Sequence, residues 1–246
     1  MPARLTKIGG EESLLTINNL KKRYGSKEVL QGVELQIEKG EILGFVGSNG
    51  AGKTTTLNSI TGILEPDEGM VTINGISKLN RLIYKKQFFY IPDTINVFKN
   101  ISGYDWIHFV LKLYDNKQTG KLNEFVRNFD MDEAIHNPMG SYSYGMMHKM
   151  SLIAAFTINP PIIIMDEPLN GLDPTAVLMF KLLLKAYVEE GGTVFFSTHL
   201  LDIAEKICST VAILKDGKIV LHEDINNVIG ECTLESFFME KQANEA

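Results

Sequence analysis

Two stretches of this chain combine residue types at spacings that suit phosphate chemistry. Gly47-Ser48-Asn49-Gly50-Ala51-Gly52-Lys53-Thr54 fits the pattern G-x-x-x-x-G-K-[ST]. Glycines let the backbone curl until its N–H groups face one anion, and a helix starting at that point adds a favourable dipole. Lys53 then reaches the β- and γ-phosphates of a nucleotide, and the Thr54 hydroxyl is a ligand for magnesium. Gly47 to Thr55 is therefore the candidate nucleotide-binding loop. Further on, Ile162-Ile163-Ile164-Met165-Asp166-Glu167 is an apolar run ending in two acids. Asp166 there would hold magnesium through water, and Glu167 would accept a proton from, or orient, an attacking water. The plain alternatives are a glycine-rich turn with Thr54 as a helix cap, and a pair of solvated loop acids.

The elements around these residues favour the chemical reading. Glu41 to Val46 reads as a short strand leading into the glycine-rich loop, and Thr55 to Ile60 continues it as a helix. Leu14 to Ile17 reads as another strand. Ile162 to Met165 and Thr193 to Ser197 are apolar runs suited to buried parallel strands. Between them Val177, Phe180, Leu184 and Tyr187 fall on one helical face, with Pro174 in the first turn and Gly191-Gly192 past the end. Strand, helix, strand is a crossover unit, so the core is expected to be a largely parallel sheet. The acids at the end of a strand then lie at the carboxyl edge, where open α/β folds bind ligands. Asn74-Gly75 and Asp216-Gly217 are hairpin signals. Asp93 to Asn159 carries more helical pattern and reads as a helical insertion.

Composition narrows the function classes. At 246 residues and 44% hydrophobic, the chain can form one large α/β domain or two small ones and is not globally disordered. No apolar run approaches the ~18 residues of a membrane span, and Met1 to Ser13 lacks the apolar core of a signal peptide. A cytosolic protein is expected. A net charge of −6, from 30 acidic and 24 basic residues, argues against a broad nucleic-acid footprint. Cys208 and Cys232 are too few for a disulfide framework and lack metal-ligand spacing, so both read as ordinary thiols.

Other segments, in order along the chain, complete a pattern. Tyr142-Ser143-Tyr144-Gly145-Met146 looks like the signature motif usually written LSGGQ, Gly171-Leu172-Asp173-Pro174 like a D-loop, and Ser197-Thr198-His199 like a switch histidine. Tyr24 stands where an aromatic stacks on adenine, and Ile91-Pro92-Asp93 where a Q-loop begins. From about Leu14 to Val220 the chain resembles an ABC-type ATPase. The resemblance implies a P-loop NTPase core with a mostly parallel sheet, an antiparallel β portion and an inserted helical subdomain. On that reading residues 14–246 are one domain, with core 14–92 and 160–230, helical subdomain 93–159 and tail 231–246, after a flexible N-terminus 1–13. ATP and magnesium are the implied cofactors, with Asp93 joining Thr54 and Asp166 near the metal. Glu167 would be the base and His199 would hold the γ-phosphate and water. The subunits would close head to tail, as a homodimer or with a related ATPase. Ser143, Gly145 and Met146 of one chain would then face the phosphates on the other. An integral membrane permease is the implied partner, placing the protein at the inner face of the cell membrane.

Physical readings of these residues stand beside the family one. Ser143 and Asp173 are both helix caps by position, before apolar positions that include Met150, Ile153, Ala154 and Thr157 in one case and before Pro174 in the other. Asn159-Pro160 stops the first of these helices. The sequence also departs from the family pattern. Tyr142 replaces leucine, Tyr144 glycine and Met146 glutamine, and Asp93 stands where glutamine is commonest. A Gly-Met ending and an acidic Q-loop resemble the drug- and peptide-exporter branch. Asp93 could ligate magnesium or fall short and act through water. A non-transport ABC ATPase is disfavoured because one phosphate loop is present and the interval to the signature is too short for a coiled coil. A low-turnover nucleotide sensor is disfavoured by Glu167 and His199.

Overall fold

The computed structural model describes residues 13–96, 98–116, 120–229 and 233–236. Cys232, the N-terminus to residue 12 and most of the C-terminal tail lie outside the described residues. The chain begins with three strands, β1 (Leu15–Tyr24), β2 (Lys27–Ile37) and β3 (Ile42–Val46), and then helix α1 (Lys53–Thr61). Next come β4 (Glu68–Ile73), β5 (Ile76–Ser77), α2 (Arg81–Lys85) and β6 (Phe88–Ile91). Helices α3 (Gly103–Leu113), α4 (Leu122–Asn128) and α5 (Tyr144–Ile158) follow, then β7 (Ile162–Asp166), α6 (Pro174–Glu189) and β8 (Thr193–Thr198). The last elements are α7 (Leu201–Ile207), β9 (Thr210–Lys215), β10 (Lys218–Asp224) and α8 (Ile225–Ile229).

Two sheets result. One is antiparallel, in the order β2-β1-β4-β5; the other runs β10-β9-β3-β8-β7-β6. In the second, β3 pairs in parallel with β8 and β9, and β7 in parallel with β6 and β8. Only β10 runs antiparallel, at the edge. The central strands are apolar on both faces because each face meets its own core, and side chains alternate between them with period two. Ile162 and Ile164 of β7, Phe195 of β8 and Phe45 of β3 enter a core shared with α1 and the antiparallel sheet. Ile163, Met165, Val194, Phe196 and Val46 enter the opposite core, with the helices of the 93–159 segment and with α6. That second core is continuous from Ile107 and Phe125 to Phe180 and Tyr187, so the inserted helices share packing with the sheet.

Several expectations are met in detail. Asn74-Gly75 and Asp216-Gly217 turn their hairpins with positive φ at both residues. Ser143 Oγ accepts the Met146 N–H at 3.2 Å and starts α5, whose C-cap is Asn159 in the left-handed conformation (φ 52) just before Pro160. Asp173 caps α6 by accepting the Ala176 N–H at 2.9 Å, with Pro174 in the first turn. Two details differ. The strand expected at Leu14–Ile17 runs on to Tyr24. Asn19 takes φ 47 and the register with β2 shifts between Ile17 and Leu20, so the alternation is broken by a bulge. In α6 the buried stripe is Ala176, Phe180, Leu184 and Tyr187, while Val177 is only half-buried. Ala176 lies four residues before Phe180, closer to the stripe than a position three before it.

Candidate functional site

Register brings the chemistry to one edge. Val46 pairs with Thr198, Asp166 with Ser197, and Ile91 with Met165. The residues that follow β3, β7, β8 and β6 therefore leave the same carboxyl edge side by side. These are the glycine-rich loop, Glu167, His199, and Pro92-Asp93. A cleft of about 380 Å³ opens there. Ser48, Asn49, Gly50, Gly52, Lys53, Thr54 and Thr55 form one wall, and Asp93, Asp166 and Glu167 the other.

The loop is held open by its own backbone. Gly52 takes φ 112 as the residue before α1, a conformation that side chains resist, and an added Cβ would lie 3.0 Å from the Val29 carbonyl. Its carbonyl accepts from the Thr56 N–H and hydroxyl, both at 2.9 Å, which locks the first turn of the helix. Lys53 is 7% exposed. Its ammonium donates to the Gly47 carbonyl at 2.7 Å and lies 3.7 Å from Glu167 Oε1. Thr54 is exposed at the loop rim. Gly47 and Ala51 are buried beneath the loop, where the Ala51 carbonyl accepts the Gly217 N–H at 3.2 Å.

The acids are held as firmly. Asp166 is 1% exposed and its Oδ1 accepts a short hydrogen bond from the Ser197 hydroxyl. Glu167 adopts φ 50, in the left-handed region, and its N–H donates to the Ser197 carbonyl and hydroxyl, each at 3.2 Å. A non-glycine residue is held there only when its surroundings over-determine it, and such residues cluster at active sites. The turn aims its carboxylate between Lys53 and His199, with Oε2 3.0 Å from His199 Nδ1. His199 is half exposed and bounds the cleft through this contact. Among the described residues no three His, Cys, Asp or Glu side chains converge as a ready-made metal cage.

Tyr24, 51% exposed, lies outside the cleft wall. Its cross-strand partner is Lys27, which lines the cleft with Val29. Those two residues were missed in the sequence, because no motif marks β2 and only the pairing across Gly25 brings it to the loop. Ser143, Gly145, Met146 and Asp173 do not line the cleft either. Asp173 is paired with Lys149 Nζ at 2.7 Å, and that donor and the Ala176 N–H hold its carboxyl below the usual range. Gly145 lies against the turn before α6, where an added Cβ would be 2.4 Å from the Gly171 carbonyl oxygen.

Asp93 is the best-connected of the expected residues. Its Oδ1 accepts from Asn170 Nδ2 at 2.9 Å, and its carbonyl accepts from the Tyr144 hydroxyl at 2.6 Å and from His148 Nε2 at 3.3 Å. His148 is fully buried, and because the carbonyl its Nε2 meets can only accept, Nε2 carries the proton; burial keeps this imidazole below its usual pKa. Asn170, His148 and the phenol of Tyr144 had no assigned role in the sequence.

A glycine-rich loop between a strand and a helix, facing strand-end acids at the carboxyl edge of a parallel sheet, defines a P-loop nucleotide hydrolase. The family model for ABC transporters matches residues 30–170, more than half of the chain. An uncharacterized ABC transporter ATP-binding protein of Bacillus subtilis, YdbJ, is 31% identical over 236 residues, covering 95% of this chain and 76% of the relative. A solved structure of an ATP-binding subunit of an ABC transporter superposes with a TM-score of 0.89 at 28% identity, covering 93% of this chain and 99% of the other. The dimeric post-hydrolysis state of the ATP-binding cassette MJ0796, bound to ADP and Pi, superposes with a TM-score of 0.76 at 24% identity, covering 86% and 98%. The chain belongs to the ABC transporter ATP-binding proteins and is an ATPase. No helix among the described residues is long and apolar enough to cross a membrane.

Proposed function

We propose that this chain is the motor subunit of an exporter, closing head to tail with a second cassette on two ATP molecules and driving a separate membrane permease. One observation carries the dimer: the cleft holding Lys53 and Glu167 lacks Ser143, Gly145, Met146 and Asp173, and Ser143 is exposed elsewhere on the surface. A two-fold axis lets each copy supply to its partner what the partner's cleft lacks. A homodimer satisfies this with one interface, and a related ATPase could take the second place. The Gly145-Met146 ending and the acidic Asp93 support export. Membership of the ABC transporter family supports a separate permease, at the inner face of the cell membrane, as the partner.

In this reading the phosphates of ATP lie along Gly47 to Thr55, with adenine against Tyr24. Lys53 exchanges its contact with Glu167 for the β- and γ-phosphate oxygens. Magnesium commonly binds through one or two carboxylates plus phosphates and water. Thr54 and Asp166 hold it, with Asp93 next to it. Glu167 takes a proton from water as its oxygen bonds the γ-phosphorus and the bond to the β-phosphate oxygen breaks. His199 keeps Glu167, water and γ-phosphate in line. Release of phosphate removes the bridge between the chains and the dimer opens.

Glu167→Gln keeps the size of the side chain and removes the base. Turnover is expected to fall about 10²- to 10⁴-fold with ATP binding retained. Light scattering of that variant should give a monomer without ATP and a dimer with it. Equal mass in both conditions refutes the shared site.

A further inference from the structure

We propose that Tyr144 and Asn170 are positioning residues that clasp Asp93, holding its carboxylate in the nucleotide cleft and tying it to the segments that carry Ser143 and Asp173. The inference rests on the reading of Asp93 as a neighbour of magnesium and the γ-phosphate.

Asp93 shares the cleft with Asp166 and Glu167. Three carboxylates around one cleft repel one another, and a loop acid with no restraint swings towards water. Asn170 prevents this by donating to Oδ1 at 2.9 Å, which leaves Oδ2 to meet a cation or its water. The backbone is held separately. The Tyr144 hydroxyl reaches the Asp93 carbonyl at 2.6 Å, with a longer approach of 3.4 Å to Oδ1, and His148 adds its contact from below.

The phenol can do this because its ring is pinned. Tyr144 Cδ1 would lie 2.4 Å from a Cβ on Gly171, so the ring packs on that glycine, and it also meets the His148 ring, tilted, at a centroid distance of 4.7 Å. Tyr144 directly follows Ser143 at the start of α5, and Asn170 and Gly171 directly precede Leu172-Asp173. A single side chain, at the start of the helix that presents Ser143, therefore touches both Asp93, the second residue beyond β6, and the turn that presents Asp173. The signature pattern has glycine at this place, which offers no donor. The clasp is thus a property of this chain's own residues. Movement of Asp93 on gain or loss of the γ-phosphate has a rigid path to the surface offered to the second cassette.

The test is a double-mutant cycle on the full chain. Tyr144→Phe keeps the ring over Gly171 and removes only the hydroxyl; Asn170→Ala removes the amide. Each is made alone and with Asp93→Ala, and ATPase rate is measured against magnesium concentration. Binding of a fluorescent ATP analogue without magnesium is measured in parallel. Tyr144→Phe is expected to raise the half-maximal magnesium concentration about 3- to 10-fold, the effect of losing one hydrogen bond to a backbone acceptor, and Asn170→Ala at least about 10-fold, because its acceptor is charged. Analogue binding stays within about twofold, because neither side chain lines the cleft. In the Asp93→Ala background the same changes add less than about twofold, since no carboxylate is left to position. Losses that multiply in the double variants overturn the clasp alone. An Asp93→Ala curve superimposed on the parent's overturns both the clasp and the reading of Asp93.

Discussion

Replacing Gly145 by alanine probes a close approach between the helix that carries Ser143 and the turn that carries Asp173. The new methyl would sit 2.4 Å from the Gly171 carbonyl oxygen. An ordinary carbon–oxygen contact is about 3.3–3.6 Å, so the two segments must part by about 1 Å. Both atoms belong to or are fixed on backbone, one in the first turn of α5 and the other before the capped start of α6, so no side chain can rotate away. Overpacking of this kind costs about 1–3 kcal/mol. Alanine is favoured over glycine in a helix by up to about 1 kcal/mol, which offsets part of it. A net loss of about 1 kcal/mol corresponds to about 2–4 °C in Tm for a chain of this size. The effect on turnover is expected to be larger than the effect on stability. If Ser143 and Asp173 complete the proposed shared site, an ångström of misplacement there can cost about 10²-fold. Differential scanning calorimetry and steady-state ATPase assays read the two quantities, and analogue binding should match the parent's because Gly145 does not line the cleft. A variant with raised Tm and parental turnover would refute the argument, showing that the contact relaxes freely and that the glycine is not required there.

Asp93→Ala should weaken the magnesium dependence of turnover more than it weakens nucleotide binding, while Asp93→Gln, which still offers Asn170 an acceptor oxygen, should retain much of the parental rate; ATPase titrations against magnesium separate the three forms. Burial depresses the pKa of His148 and of His222 below the usual value near 6.5, so both are neutral when folded and the unfolded chain binds protons more readily. Their contribution to stability is complete above that pH and is lost as pH falls through it towards the folded values. Tm should therefore drop between pH 7 and pH 5.5, and drop less in a His148→Gln, His222→Gln variant; an identical slope would count against the argument. Burial also pushes the Cys208 thiol far above its usual pKa, so in a Cys232→Ser background the native protein should resist alkylation at pH 8 and react on unfolding, as mass spectrometry would show.

Much of the site was legible before any coordinates, because its chemistry is local in the chain. The glycines, Lys53 and Thr54 act through a short loop whose conformation follows from residue type. Asp166 and Glu167 could be placed at a sheet edge because a short run of isoleucines ending in acids, within a strand-helix-strand pattern, suits a buried strand leaving the core. Caps at Ser143 and Asp173, and the hairpin turns, follow from the same short-range rules. The parallel sheet followed from the alternation of strand and helix. What pairing alone decides was not legible. Lys27 and Val29 reach the cleft because β2 folds back across Gly25, and a bulge at Asn19 hid the length of the strand it pairs with. Asn170 and Tyr144 meet Asp93 across separations of 77 and 51 residues, and Lys149 reaches Asp173 from a different helix. Hydrogen bonds of this kind carry no sequence period and no motif, since each depends on the direction of a side chain set by packing elsewhere. The sequence by itself thus determined which groups are proposed to handle the nucleotide, through local backbone rules and residue chemistry. Only the tertiary structure decided which groups hold them in place and leave Ser143 and Asp173 outside the chain's own cleft, because the long-range register of the sheet and the packing of α5 against the turn before α6 set those positions.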